Sequence, residues 1–264
     1  MKILICGGDG RYDALKALLR RDGHEVLRFC AERADITAPE RADVVILPSP
    51  AESGCCVNAP KGVPACRTEN ILDAAGEGAL ILGGGMSASL REKIASRGQR
   101  GFDYMRLPSY TAKNAAITAE GAVSELMRES DRALCDMDVL IIGWGRIGKM
   151  LISKLRALCR SVSLLSASAQ SRALARELGC ASYAPGEELM AFDAVINTAP
   201  AQIVPELEAF KQSCLIFELA SAPGGFPPDE RVRILRSLPG RYAPDSAAAA
   251  LYAAVNEILR GVEK

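Results

Sequence analysis

The chain alternates short, unbroken apolar runs with longer stretches whose apolar residues recur every three or four positions. The first pattern predicts strands and the second amphipathic helices. In the N-terminal part, 2–6, 25–29, 43–47 and 79–82 read as strands, and leucines at 15, 18 and 19 give 13–21 a helical stripe. A further helix is expected over 87–96, with Ser87 as its N-cap. Residues 49–68 are rich in Pro, Gly and Cys and read as a long, partly irregular loop. Near 113 the character changes, and 119–132 reads as a helix capped by Thr118, with Glu120 at its positive end. A second series follows: strand 138–142, helix 147–158, strand 162–165, helix 171–178 stopped at Gly179, strands 194–197 and 215–219, and an alanine-rich helix over 246–260. Unbroken apolar strands separated by helices imply parallel sheets covered on both faces. An α/β protein of two similar layers in series is expected, and 264 residues suit two domains.

The strand over 138–142 runs into Gly143-Trp144-Gly145-Arg146-Ile147-Gly148, a G-x-G-x-x-G motif that opens a helix. This context points to a dinucleotide. Gly143 allows the tight turn, Gly145 lets the backbone approach a diphosphate, and Gly148 lets helix and strand pack closely, while the helix N-terminus offers N–H groups to the phosphates. The earlier Gly7-Gly8-Asp9-Gly10-Arg11 lacks that spacing, and Asp9 would put a carboxylate where phosphate belongs. It reads as a related turn without a dinucleotide, with Arg11 a solvated charge at a helix start or, alternatively, an anion contact in a cleft.

An NAD site carries Asp or Glu at the end of its second strand to hold the ribose 2′-OH. Here the run is Leu165-Ser166-Ala167-Ser168-Ala169-Gln170-Ser171-Arg172, with no carboxylate. The hydroxyls of Ser166 and Ser168, with Arg172 and Arg146, suit a 2′-phosphate, so NADP is favoured and NAD is the alternative. Two more strand ends, Asn197-Thr198-Ala199-Pro200 and Glu218-Leu219-Ala220-Ser221, should face the ribose and nicotinamide if the sheet is parallel. For Thr198 and Ser221 the plainer alternative is turn capping, and Glu218 reads as structural.

Composition narrows the rest. Lys plus Arg and Asp plus Glu each number 32, so the net charge is zero, which argues against a nucleic-acid or anionic-membrane surface. No apolar run is long enough to span a bilayer. The nine cysteines are scattered without C-x-x-C and read as small buried hydrophobes of a reducing cytoplasm. The one histidine, His24, sits in a turn-like Asp22-Gly23-His24. Histidine-based nucleophilic catalysis and zinc are therefore not expected, and no metal is assigned.

Several segments in this order resemble the A subunits of dipicolinate synthase: residues 114–122, the G-x-G-R-x-G loop, Ile196-Asn197-Thr198-Ala199-Pro200, residues 219–225, and Leu238-Pro239-Gly240-Arg241-Tyr242-Ala243-Pro244. Gly7-Gly8-Asp9 and Ile46-Leu47-Pro48 fit the same family. The resemblance implies a two-domain dehydrogenase: an N-terminal flavodoxin- or Rossmann-like domain (1–115), an interdomain helix (116–134), an NAD(P)-binding Rossmann domain (135–242) and a C-terminal helix (243–264) returning to the first domain. It implies oxidation of a dihydrodipicolinate-level precursor of the lysine pathway to dipicolinate, the pyridine-2,6-dicarboxylate of endospores. A flavoprotein-like second subunit would take part, and a homo-oligomer is expected. The family pattern implies Arg where this chain has Ala222, and Lys-Thr where it has Asp245-Ser246. Dicarboxylate binding would then shift to Arg241, Lys113 or Arg106. Other substrate contacts are expected at Ser49, at Gly85-Met86-Ser87, and at Asn114 with Thr118, the helix starts at Ser87 and Thr118 offering amides to carboxylates. For the proton acceptor the candidates are Lys113, Glu120, Tyr110 or water. Two alternatives stand beside this reading: an NADP-dependent dehydrogenase of another small carboxylate, and a cofactor-binding scaffold whose partner does the chemistry.

Overall fold

The computed structural model describes residues 1–29, 41–59, 65–204, 206–221 and 223–262. In chain order the elements begin β1 (Lys2–Cys6), α1 (Arg11–Arg21), β2 (Glu25–Phe29), β3 (Ala42–Ile46), β4 (Glu52–Ser53), β5 (Cys56–Val57), α2 (Thr68–Ala74), β6 (Ala75–Gly83), α3 (Ala88–Ala95), β7 (Arg100–Asp103) and α4 (Pro108–Glu129). They continue with β8 (Asp138–Ile142), α5 (Arg146–Leu155), β9 (Ser161–Leu165), α6 (Ala169–Glu177), β10 (Ala181–Tyr183), β11 (Ala194–Asn197), β12 (Leu215–Glu218), β13 (Val232–Ile234), α7 (Leu238–Tyr242) and α8 (Pro244–Val262). The chain forms two compact units, Met1–Asn114 with Pro239–Lys264, and Ala115–Leu238.

The first unit holds a five-stranded parallel sheet in the order β2-β1-β3-β6-β7. The irregular 49–68 segment contains the small antiparallel hairpin β4–β5. The final helix α8 belongs to this unit. Its buried residues Ala247, Ala248, Leu251, Ala254, Val255, Ile258 and Leu259 recur at helical spacing and join a core with Leu15 and Leu19 of α1. An alanine-rich face lets the helix approach closely, and the burial of Leu251 and Ile258 stabilises the contact.

The second unit is a six-stranded parallel sheet in the order β10-β9-β8-β11-β12-β13. This is the doubly wound dinucleotide-binding order, with its switch point between β8 and β11. α4 corrects one expectation. The helix read over 119–132 begins at Pro108, where a fixed φ suits the first turn, and runs for 22 residues. Thr118 therefore lies in mid-helix and caps nothing, and Glu120 does not meet a positive helix end.

At the amino edge of this second sheet, Asp193 is buried and ties three segments together. Its Oδ1 accepts from Arg132 Nη1 at 2.7 Å and Lys211 Nζ at 2.6 Å, and its Oδ2 accepts from the Asp138 amide at 2.9 Å. Burial pushes its carboxyl up, but the Lys211 ammonium, the Asp138 amide and Arg132 outweigh burial and hold it below the usual range. A depressed native value contributes stability above the ordinary carboxylate range and loses it as pH falls through the native value. Asp193→Asn should cost about 2 kcal/mol near neutral pH, and less in acid, when urea denaturation is followed against pH.

Candidate functional site

The β8–α5 turn is shaped by its glycines. Gly143 has φ +98°, and a Cβ there would lie 2.9 Å from Thr198 Oγ1. A Cβ on Gly148 would overlap the Gly143 carbonyl oxygen. Both glycines are thus demanded by the chain's own packing. Gly145 is different: its φ is −77°, open to any residue, and a Cβ there would meet nothing within 4 Å among the described residues. No atom of the described residues explains a glycine at 145. Open space before exposed backbone, at a helix start with no side-chain cap, is what a diphosphate requires. The residues therefore fit a dinucleotide. Arg146 is exposed at the first position of α5, Ile147 is half-buried against the core, and Trp144 is half-buried with its Nε1 unpartnered and Lys149 Nζ 5.7 Å from its ring centre.

The turn after β9 places Ser166, Ser168 and Arg172 together. Buried Ser166 accepts from the Ser168 amide at 3.3 Å, and Ser168 caps α6 by accepting from the Ser171 amide at 3.2 Å. Arg172 Nη1 donates to the Ser166 and Ala167 carbonyls at 2.6 and 2.9 Å, which holds the guanidinium beside both serines.

The ends of β11 and β12 form one network. Thr198 donates to the Ile142 carbonyl at 2.9 Å and so braces the glycine turn, which is the capping role. Asn197 accepts from the Ala199 amide at 3.1 Å and donates to both oxygens of Glu218. Glu218 also accepts from the amides of Ala220 and Gly225. Ala220 is buried and its carbonyl receives Arg236, while Ala199 is half-buried and Pro200 and Ser221 are exposed. Sequence reasoning set Asn197 and Glu218 at strand ends facing the cofactor, but it gave Asn197 no role of its own, read Glu218 as structural and did not single out Gly225. The available signal was a polar residue ending each of two apolar runs.

The first unit treats its glycine turn in the opposite way. Gly7 has φ +60°, but a Cβ there would overlap the Asn58 carbonyl oxygen, which also receives the Gly8 amide at 3.1 Å. The segment after β5 fills the space. Arg11 is not a solvated charge: it is 6% exposed and donates from Nε and Nη2 to the two oxygens of Asp9, both at 2.8 Å. Asp9 in turn sits against Gly240, where a Cβ would overlap its carboxylate.

The expected substrate contacts fare unevenly. The Gly85 and Met86 amides donate to Asp103 at 3.0 and 3.1 Å, so that helix start already holds a carboxylate. Ser87 caps α3 through the Leu90 amide and donates to Glu52 at 3.1 Å. Half-buried Ser49, joined to Pro50 by a cis peptide, packs against Gly84. Asn114 is half-buried, and Lys113, Arg106 and Arg241 are exposed. Among the proton-acceptor candidates, Glu120 pairs with Lys154 at 2.8 Å. Tyr110 is buried edge-on to Tyr104, and burial, opposed by Arg11, pushes its hydroxyl up. A core phenol with a raised value is a poor base, so Tyr110 is withdrawn from that role.

A curated relative, the A subunit of dipicolinate synthase from Bacillus subtilis (strain 168), is 25% identical over 195 residues, which are 69% of this chain and 66% of the relative. The chain resembles the A subunits of dipicolinate synthase. The aligned part spans a little under two thirds of that relative's length. No family model matches. The fold agrees. The solved A subunit of dipicolinate synthase from Bacillus subtilis superimposes with TM-score 0.79 at 22% identity, covering 100% of this chain and 97% of that one. Its counterpart from Bacillus halodurans gives 0.85 at 21%, covering 98% and 97%. A transhydrogenase from Sinorhizobium meliloti gives 0.68 at 18%, covering 99% and 94%. The chain thus has the α/β, Rossmann-type architecture common to these dipicolinate synthase structures and to oxidoreductases. Of its expected departures from the dipicolinate synthase pattern, Ala222 lies outside the described residues, while Asp245 and Ser246 are exposed in the first turn of α8. No helix among the described residues is long and apolar enough to cross a membrane.

The glycine geometry separates two substitutions. Gly148→Ala should destabilise the protein by about 1–3 kcal/mol through the forced shift at Gly143, whereas Gly145→Ala should change stability by no more than about 1 kcal/mol. Urea denaturation of the two variants checks this.

Proposed function

We propose that this chain is a nicotinamide-dependent dehydrogenase subunit that oxidises dihydrodipicolinate to dipicolinate. The observation that carries the dehydrogenase part is the unfilled space before Gly145, in a turn whose other two glycines the protein's own packing explains. The substrate comes from the likeness to the A subunits of dipicolinate synthase. Gly143, Trp144, Gly145, Arg146, Ile147 and Gly148 would hold the diphosphate, with Thr198, Ala199, Pro200, Ala220 and Ser221 toward the nicotinamide end. NADP is the proposed cofactor, because the β9 turn brings Ser166 and Ser168 beside the Arg172 cation and offers no carboxylate to a ribose 2′-OH. When bound, the nicotinamide supplies a hydride acceptor. The protein's share is to hold the substrate carbon against that ring and exclude water, since the product ring is aromatic and the reaction runs downhill. With Tyr110 in the core and Glu120 paired to Lys154, exposed Lys113 or water is left to take the proton. A flavoprotein-like partner, a homo-oligomeric state and a cytoplasmic setting belong to the same reading.

A second reading is favoured by one observation: Asp245 and Ser246 stand where the family pattern implies Lys-Thr. It is a dehydrogenase of this architecture acting on another small carboxylate.

Purified chain mixed with dihydrodipicolinate and NADP should reduce the cofactor. Turnover with a different acid and none with this one would establish the second reading. Reduction only after the flavoprotein-like partner is added would move the chemistry to that partner. Trp144 is the single tryptophan and lies in the glycine turn, so NADPH should quench its emission. Gly145→Asp, which adds bulk and negative charge at the diphosphate position, should abolish that quenching while the far-UV circular dichroism stays unchanged. Quenching that survives in Gly145→Asp would mean the loop has been misassigned.

A further inference from the structure

Two buried polar side chains at the carboxyl edge of the second sheet have no part in the chemistry above. Glu218 is 3% exposed and Asn197 is 1% exposed. Among the described residues no ion pair includes Glu218, so hydrogen bonds alone compensate its burial. Each group facing it is a donor. Oε1 receives the Ala220 amide at 2.8 Å and Asn197 Nδ2 at 2.9 Å; Oε2 receives the Gly225 amide at 2.7 Å and the same Nδ2 at 3.0 Å. The space is closed: a Cβ on Gly225 would overlap Asn197 Nδ2, and one on Gly224 would lie 3.1 Å from Glu218 Oε2. Next to Asn197, Thr198 holds the turn at Ile142 and Gly143. The 197–201 loop therefore holds on two sides separately: Thr198 on the glycine turn, and Asn197 on Glu218, which in turn grips the Ala220 and Gly225 amides. Ligands of an open parallel sheet lie outside its carboxyl ends, beside the switch point that β8 and β11 flank.

We propose that Glu218, through Asn197 and the Gly225 amide, is a positioning residue that holds the backbone at Ala220 and Gly225 against the nicotinamide half of the cofactor. This rests on the reading of the second unit as a nicotinamide dinucleotide site. It also divides the cofactor: the glycine turn carries the diphosphate without help from Glu218, while the redox ring depends on the carboxylate's grip.

The test is Glu218→Gln in the full chain, which keeps the shape but turns an NH2 group toward a donor. NADPH, NADH and the fragment 2′-phospho-ADP-ribose are titrated into wild type and variant. Binding is followed by calorimetry and by the emission of the bound reduced nicotinamide at saturation. The variant should bind the fragment within about twofold of wild type, bind NADPH about tenfold more weakly, and lose most of the emission enhancement of the bound ring. Equal weakening of fragment and NADPH, or unchanged emission at saturation, would overturn the positioning role. Wild type that binds neither dinucleotide nor fragment would instead sink the dinucleotide reading itself. Should Glu218→Gln fail to fold, Glu218→Asp keeps the carboxylate but shortens its reach to the Gly225 amide; it should show the same split at smaller size, and no split overturns the proposal.

Discussion

The second unit depends on the close approach of a helix to the strand that feeds it. The Gly143 carbonyl lies where any side chain at 148 would stand, and the Thr198 hydroxyl stands close to the Cβ positions of both glycines. With no side chain at either place, α5 starts directly above the end of β8 and its free N–H groups point outward. The contact brings its own support. Leu151, Ile152 and Leu155 bury the face of α5 that looks back at the sheet, beside Val139 and Ile141 of β8. The positive end of the helix and the vacant room before Gly145 follow from that packing, so the room that a diphosphate would need is a by-product of how the core closes.

The two units show the same local device put to different ends. Each begins with a strand that runs into a glycine turn and a helix. In the first unit the turn is filled from within by the Asn58 carbonyl, and the charge at the helix start, Arg11, is neutralised by Asp9 two residues earlier. The turn before α3 likewise gives its Gly85 and Met86 amides to the Asp103 carboxylate, and Ser87 caps the helix itself. A unit whose helix starts are satisfied by its own carboxylates and carbonyls has its polar groups committed to folding. In the second unit the commitment moves one layer back. Buried carboxylate and amide groups of Glu218 and Asn197 brace the loops, and the backbone at Gly145 stays unspent.

Much of this was readable in the residues. The order of the long buried strands, the Ser87 cap and the glycine turn after β8 are local matters of period, propensity and spacing, whereas the short strands Arg100–Asp103, Ala181–Tyr183 and Val232–Ile234 carry too few residues to show a period. The misreadings were also local in origin. An Asn-Ala-Ala-Ile-Thr run resembles a helix start, yet Pro108 had already opened the helix, and propagation through good helix formers costs less than stopping. Arg11 read as solvated because nothing in a linear sequence says that Asp9 folds back onto it. Tyr110 was a proton-acceptor candidate by residue type alone, and its burial beside Tyr104 removes it.

By itself the sequence determined the parallel α/β architecture, the position of the glycine turn after β8 and the lack of an acidic residue at the end of β9, because each depends on residues close together in the chain. Tertiary structure alone decided that Asp9 packs against Gly240, that the Asn58 carbonyl fills the Gly7 turn, and that Asn197 and Glu218 meet. Those facts rest on contacts between segments tens to hundreds of residues apart, and the cost of burying a polar group or excluding a Cβ is set by neighbours that only folding supplies.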